Sequence, residues 1–426
     1  MILEFKIRNY LSFKNEVVFS FEATTDDTLE DYYVTEVAPG VRLLKMAMVY
    51  GANASGKSNL LKAFNFIKDF INILPSQKDE DTGFIPFKFN NEKSRPGYFE
   101  LLFYIESRKH KYILELDENK VYREGLYYYP GTQPAVVFDR FLDNKTQTSK
   151  INFGSRIKLS NTAKEQIELK TLVNASVLSA FSQLNLVFPE LKSVKQWFNG
   201  HFMDIIDPYT ELTRYSDQHI EKNDKLKKWA IQFIKEADFN ISDILFEEEI
   251  KKISDDLIEV FKYSPLPKEE KIRISKEKNI HIQNTIFEHT IKRGDEDKVF
   301  NLPEELQSRG TMRYYGLTAP FFNTIENNGF LPIDEIGSAL HPLLVMHFLR
   351  EFLKRSNQAQ LLFTTHNLSL LMEKDILRKD AIWFTEKKRD GSTDLYSMAD
   401  FNFRKELSFY NAYKQGKFGA IPIIEE

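Results

Sequence analysis

The chain has 426 residues, a formal net charge of −4 and no cysteine. A length of this order predicts two or three domains, and the near-neutral balance supplies no global pull toward nucleic acid or an anionic membrane. Without cysteine there is no disulfide, no thiolate zinc site and no cysteine nucleophile.

In chain order, the N-terminus from Met1 to Phe13 alternates apolar and charged side chains, with no apolar run leading to a small-residue cleavage site. Residues Ile2 to Ile7 therefore read as a half-buried strand. A second apolar run, Leu43 to Tyr50, stops at Gly51, and a helix is expected from Lys57 to Phe70 with Leu60, Leu61, Phe64, Ile67 and Phe70 on one face. Between Gly83 and Leu159, aromatic and β-branched runs (Tyr98 to Ile105, Lys111 to Leu116, Leu126 to Tyr129) alternate with turn-prone clusters, which predicts an antiparallel β subdomain. From Thr162 to Tyr263 the pattern is helical. Asp224 to Ala237 and Glu247 to Phe261 read as amphipathic helices, the Lys222 to Lys228 stretch as a solvated helix face, and Pro265 and Pro267 as breakers. Strand and helix alternate again after Phe300: strands over Phe330 to Ile333, Gln360 to Thr364 and Ala381 to Thr385, and a helix over Pro342 to Arg355. No stretch approaches the roughly 18 apolar residues that span a bilayer. The expectation is a cytoplasmic protein without a membrane partner. It is organised as an N-terminal core part (1–160), a helical insertion lobe (161–299) and a C-terminal core part (300–426).

Four motifs carry chemistry. Gly51, Ala52, Asn53, Ala54, Ser55, Gly56, Lys57 and Ser58 match the P-loop pattern in full, between a strand and a helix. Glycines let the backbone wrap a phosphate, and the loop N–H groups together with the helix N-terminus aim positive potential at it. Lys57 is expected on the β/γ-phosphates of ATP, Ser58 on Mg²⁺, and Asn53, Ala54, Ser55 and Asn59 along the cradle. In Phe330 to Glu335 an apolar strand delivers two adjacent carboxylates. Asp334 is the expected Mg²⁺ ligand, a hard cation wanting oxygen, and Glu335 the general base for the attacking water. The segment Leu306 to Thr311 opens a helix expected from Met312 with Ser308 and Gly310, an anion-binding pattern in which Thr311 takes part. Finally, the strand Leu361 to Thr365 ends in His366, whose imidazole suits a γ-phosphate sensor. The turn Ile336 to Pro342 lies between the Asp334–Glu335 strand and the strand that ends in His366, and leads into a helix.

The order P-loop, Ser-x-Gly-Thr, Asp-Glu, Leu-His-Pro, Thr-Thr-His-Asn resembles the SMC/ABC-like ATPases of OLD-family nucleases and bacterial anti-phage defence systems, AAA-type ATP-binding proteins of the ABC clade. The opening Ile7-Arg8-Asn9-Tyr10 to Phe13 and the ending Tyr413 to Pro422 are similar to that group as well. The resemblance implies an α/β fold: an ABC-type P-loop ATPase head with an antiparallel β subdomain and an inserted lobe. It implies an ATP-hydrolysing switch in which two copies share each triphosphate, Lys57 from one and the Ser308 segment from the other, as a homodimer or a larger homo-oligomer of dimers. The capping segment departs from the transporter-type Leu-Ser-Gly-Gly-Gln, and only Gln77 offers itself for the Mg²⁺-sensing loop. With no clustered carboxylates of a Toprim nuclease and no His-Asn-His pattern, the implied role is a regulatory subunit in abortive infection, analogous to the ATPases of PARIS, Abi/Rlo-type and Septu systems. Such a subunit would control a separate effector, a Toprim-like, RloB-like or HNH nuclease, with a phage protein or DNA as trigger. The alternative readings are an SMC-like DNA-repair or DNA-clamping ATPase, a transporter motor, and a nucleotide-binding scaffold without turnover.

Overall fold

The computed structural model describes residues 1–89, 95–143, 145–237, 239–264, 268–294, 296–402 and 408–422. Pro265 and Pro267 lie outside the described residues. The chain divides into two compact units, Met1–Thr210 with Asn323–Glu426, and Glu211–Phe322.

The first unit is built on two main sheets. One has five strands in the order Phe330–Ile333, Gln360–Thr364, Met46–Gly51, Ile382–Lys387, Thr393–Ser397. The first four run parallel and the last pairs antiparallel at the edge. Every residue of Met46–Gly51 is buried, as expected for a central parallel strand covered on both faces. The second sheet has seven strands, all pairings antiparallel. It runs from Thr148–Phe153 through Ala135–Asp143, Val121–Tyr128, Arg108–Leu116, Gly97–Ile105 and Ile2–Arg8 to Val17–Ser20. A two-stranded pair, Val34–Ala38 and Val41–Leu44, completes the β-structure of this unit. The expected Leu43–Tyr50 run is thus two strands, divided at Lys45, whose ammonium turns away to the Ser356 carbonyl at 2.7 Å.

The helix Lys57–Asn72 lies between the two sheets, buried through Leu60, Leu61, Phe64, Ile67 and Phe70. Phe64 reaches Phe5 of the seven-stranded sheet at 4.4 Å between ring centres and Phe330 of the five-stranded sheet at 5.0 Å. Phe66 reaches Phe99 at 5.1 Å. Much of the phenylalanine content is spent here, where large apolar rings give both burial and offset contacts. Gln360 ties the sheets together. Its Oε1 accepts from Ile2 N, and its Nε2 donates to Ile2 O at 2.9 Å and Leu44 O at 3.2 Å. A fully buried ion pair, Arg140 with Glu124 at 3.2 Å, anchors the segment after the antiparallel sheet. Arg140 also donates to the carbonyls of Leu172, Val173 and Ala175, while Glu124 accepts from Tyr112, Ser176 and Val177 N.

The second unit carries a three-stranded antiparallel sheet, Ile241–Lys252, Asn279–Arg293 and Glu296–Pro303. It also contains helices Thr213–Ile220, Asp224–Glu236, Asp255–Lys262, Lys268–Glu277 and Arg309–Gly316. Trp229, Phe233, Tyr314 and Phe321 stack in its core, Phe233 on Tyr314 at 5.0 Å and Trp229 on Phe321 at 5.3 Å.

Two expectations need correction. Glu247 to Phe261 is not one helix: a strand runs to Lys252 and a helix starts at Asp255, capped by Ser254. That strand is exposed from Glu247 onward, so neither face shows the alternation that would have marked it. The unit boundaries differ as well. Residues 161–210 fold with the first unit, where Trp197 stacks on Phe103 at 4.3 Å. Residues 300–322 belong to the second, because Glu296–Pro303 hydrogen-bonds to Asn279–Arg293. The inserted unit is therefore mixed in structure rather than helical.

Candidate functional site

Three parallel strands end at one edge of the five-stranded sheet, and ligands in open α/β sheets bind beyond the carboxyl ends of such strands. Met46–Gly51 leads into the P-loop, Phe330–Ile333 into Asp334 and Glu335, and Gln360–Thr364 into Thr365 and His366.

The P-loop is held from behind by close contacts. A Cβ on Gly51 would lie 2.4 Å from Thr385 Oγ1 and 2.5 Å from Ser55 Oγ; one on Gly56 would lie 2.4 Å from Thr393 Oγ1. Gly56 also has φ +108, a region closed to other residues, and Ala54 takes φ 60. Ser55, buried, shares a 2.6 Å hydrogen bond with Thr385, so its hydroxyl faces the fold while Asn53 and Ala54 are exposed at the loop tip. Asn59 does not face the cradle with its amide: Nδ2 donates to Ser12 Oγ at 2.8 Å, a hydroxyl that also meets Thr393 Oγ1 at 2.8 Å. Ser12, Thr385 and Thr393 thus shape the loop; Ser12 lies in the opening motif that carries the resemblance, but the sequence assigns none of the three to the site. Their distance along the chain hides them, and only contact in the fold reveals the role.

Lys57 is buried, with Nζ donating to Gly51 O at 2.9 Å and Ala52 O at 3.3 Å, and 3.7 Å from Glu335 Oε1. The other Glu335 oxygen, Oε2, is 2.7 Å from His366 Nδ1. Lys57, Glu335 and His366, from three different elements, are therefore brought together. Glu335 has φ 50, a conformation that costs a β-carbon-bearing residue about 1–3 kcal/mol and concentrates at functional sites. Asp334, buried, accepts from Thr364 Oγ1 at 2.5 Å, and its backbone N donates to Ile206 O at 2.7 Å. Ser58 is the second residue of the helix Lys57–Asn72 and is half-buried. A serine hydroxyl and an aspartate carboxylate are the hard oxygen donors that suit Mg²⁺, so this donor set fits the cation expected with a triphosphate.

Ser308, Gly310 and Thr311 lie in the second unit, at the start of the helix Arg309–Gly316. The helix begins three residues before the expected Met312. Ser308 is its N-cap: Oγ accepts from Thr311 N at 3.1 Å and pairs with Thr311 Oγ1 at 2.8 Å. Thr311 is buried, whereas Ser308 and Arg309 are exposed. The preceding Gln307 bonds His289 Nε2 at 3.0 Å. Between the carboxylates and the next helix, His341 caps Pro342–Arg355 by accepting from Leu343 N. Gln77 is exposed beyond the P-loop helix, its carbonyl accepting from Asn174 Nδ2 at 2.9 Å.

Residues 46–373, more than half of the chain, match the family described as "AAA domain, putative AbiEii toxin, Type IV TA system". The chain belongs to this AAA domain family. The matched span runs from the strand before the P-loop to just beyond His366. No curated protein matches this AAA domain. Among solved structures, it is similar to the SMC head domain from Thermotoga maritima at 14% identity and TM-score 0.39, covering 93% of this chain and 98% of that one. It is similar to an SmcHead bound to the C-winged helix domain of ScpA at 13% identity and TM-score 0.45, covering 96% and 99%. It is also similar to an Smc head domain with an extended coiled coil, bound to the C-terminal domain of ScpA derived from Pyrococcus furiosus, at 14% identity and TM-score 0.37, covering 98% of each. Among the described residues, no helix is long and apolar enough to cross a membrane.

Proposed function

We propose that this AAA domain binds ATP with Mg²⁺ and hydrolyses it as an ABC-type switch. The observation that carries the reading is the convergence of the P-loop Lys57 with Glu335 and His366, next to Asp334 in the chain, within one unit and at one sheet edge. In this reading the P-loop N–H groups and the N-terminus of Lys57–Asn72 hold the phosphates. The Lys57 ammonium leaves the Gly51 and Ala52 carbonyls for the β/γ-phosphates. Ser58 and Asp334 supply oxygen ligands to Mg²⁺, which when bound neutralises charge on the phosphate chain. Glu335 accepts the proton of the attacking water, and His366, hydrogen-bonded to Glu335, orients that carboxylate and meets the γ-phosphate.

We further propose that the Ser308 segment of a second copy closes the site in trans, so that ATP joins two copies and hydrolysis releases them. The regulatory role proposed is in phage defence, acting on a separate nuclease effector. The toxin–antitoxin wording of the family description supports it, as does the resemblance in motif order. The test is a set of two variants. Lys57→Ala should abolish ATP binding. Ser308→Arg should leave ATP binding to the isolated chain intact while reducing both hydrolysis and ATP-dependent dimerisation. Unchanged ATP affinity in Lys57→Ala would remove the nucleotide reading, and wild-type turnover in Ser308→Arg would remove the trans arrangement alone.

A further inference from the structure

Thr364 occupies the last position of the strand Gln360–Thr364, in register with Val49 of the strand that leads into the P-loop. On its other side it makes three hydrogen bonds to the carboxylate segment. Its Oγ1 accepts from Glu335 N at 2.8 Å, the same Oγ1 donates to Asp334 Oδ1 at 2.5 Å, and its carbonyl accepts from Ile336 N at 3.2 Å. The residue is fully buried.

A threonine hydroxyl has one proton. Since the Glu335 N–H must donate into Oγ1, that proton can only be directed to Asp334, and the chain Glu335 N–H to Thr364 O–H to Asp334 carboxylate has a single polarity. Each bond polarises the next. Two consequences follow for the atoms of this site. The Asp334 carboxylate is fixed about its side-chain torsion, with Oδ1 engaged by the hydroxyl. The left-handed turn at Glu335, φ 50, has its N–H satisfied inside the fold, where an unpaired donor is costly.

We infer that Thr364 is a positioning residue that sets the affinity of the site for Mg²⁺ by orienting Asp334, and that it couples this orientation to the backbone of Glu335. The inference rests on the proposed Mg²⁺-nucleotide reading. The hydroxyl touches neither nucleotide nor water in this scheme; it acts through the carboxylate, as groups hydrogen-bonded to metal ligands do.

The experiment measures binding of a fluorescent ATP analogue to the full chain in EDTA and across a MgCl₂ titration. Wild type, Thr364→Val, Thr364→Ala, Thr364→Ser and Asp334→Asn are compared, with circular dichroism confirming the fold. In Thr364→Val the MgCl₂ concentration for half-maximal enhancement should rise about 10-fold, with affinity in EDTA unchanged; Thr364→Ser, which keeps the hydroxyl, should stay within about 2-fold of wild type. Thr364→Ala is read in the same way if the valine variant does not fold. A wild-type Mg²⁺ midpoint in a folded variant lacking the hydroxyl overturns the inference. So does equal loss of binding in EDTA and in Mg²⁺, or failure of both hydroxyl-free variants to fold while Thr364→Ser folds, since either result assigns Thr364 to stability alone. If wild-type protein itself shows no Mg²⁺ enhancement, and Asp334→Asn is indistinguishable from it, the underlying nucleotide reading fails instead.

Discussion

His366 Nδ1 stands 2.7 Å from Glu335 Oε2, while the opposite oxygen of the same carboxylate faces the Lys57 ammonium at 3.7 Å. The glutamate is therefore held at both oxygens by groups that a triphosphate would also attract. In the proposed scheme, entry of the phosphates would draw Lys57 away and leave Glu335 oriented by the imidazole. Glu335→Gln is expected to preserve ATP affinity and to slow phosphate release about 100-fold or more, the range general bases supply. His366→Ala should slow it less, because the base itself remains. Steady-state phosphate release alongside nucleotide titration separates the two quantities, and a fully active Glu335→Gln enzyme would place the base elsewhere.

Gly56 offers a test of the loop rather than the chemistry. With φ +108 and Thr393 Oγ1 only 2.4 Å from the site of a Cβ, Gly56→Ala must move either the loop or the edge strand. The expected result is a loss of about 1–3 kcal/mol in stability together with at least a tenfold loss of ATP affinity. Thr393→Ser should be tolerated. Urea unfolding and nucleotide titration of the same preparations report both effects.

The Arg140–Glu124 pair is predicted to be far more costly to break than to replace. Arg140→Met strands a carboxylate in a fully buried site, which costs about 3–5 kcal/mol. Adding Glu124→Leu removes the stranded charge and should recover part of that loss, although Tyr112 and Ser176 lose an acceptor. A double-mutant cycle by urea denaturation measures the difference.

Burial lowers the His110 pKa from 6.5 to about 4, with the ring stacked on Phe103. The native state thus resists a proton that the unfolded chain accepts. Stability associated with this site is complete above pH 6.5 and falls as the pH drops toward 4, by about 2 kcal/mol at pH 5. His110→Phe should flatten that segment of the stability–pH profile; an unchanged slope would assign it to other groups.

Legibility in the sequence followed locality. The P-loop, the Asp334–Glu335 pair and the Thr-Thr-His segment are each contiguous, and the strands delivering them are centred on apolar stretches (Met46 to Tyr50, Phe330 to Ile333, Leu361 to Phe363), so the elements Phe330–Ile333, Pro342–Arg355 and Gln360–Thr364 could be read directly. Ser12 and Thr393 close on the same glycine from opposite ends of the chain, and no spacing rule connects them. The strand Ile241–Lys252 was hidden by its exposure, since a ribbon wetted on both faces loses the period-two pattern. The Ser308 segment carries two local patterns at once, an N-cap and an anion-binding motif; the structure shows the cap, with Ser308 Oγ accepting from Thr311 N at 3.1 Å.

Gln360 behaves as a one-residue strand inserted at the junction of the two sheets, offering a donor and an acceptor where a peptide group would. Glutamate at this position would keep the length but turn a second oxygen on the Ile2 and Leu44 carbonyls, and asparagine would fall a methylene short. The helix that follows the P-loop lies between sheets fastened at this seam. If nucleotide entry displaces that helix, the shift would therefore reach both sheets of the first unit rather than one.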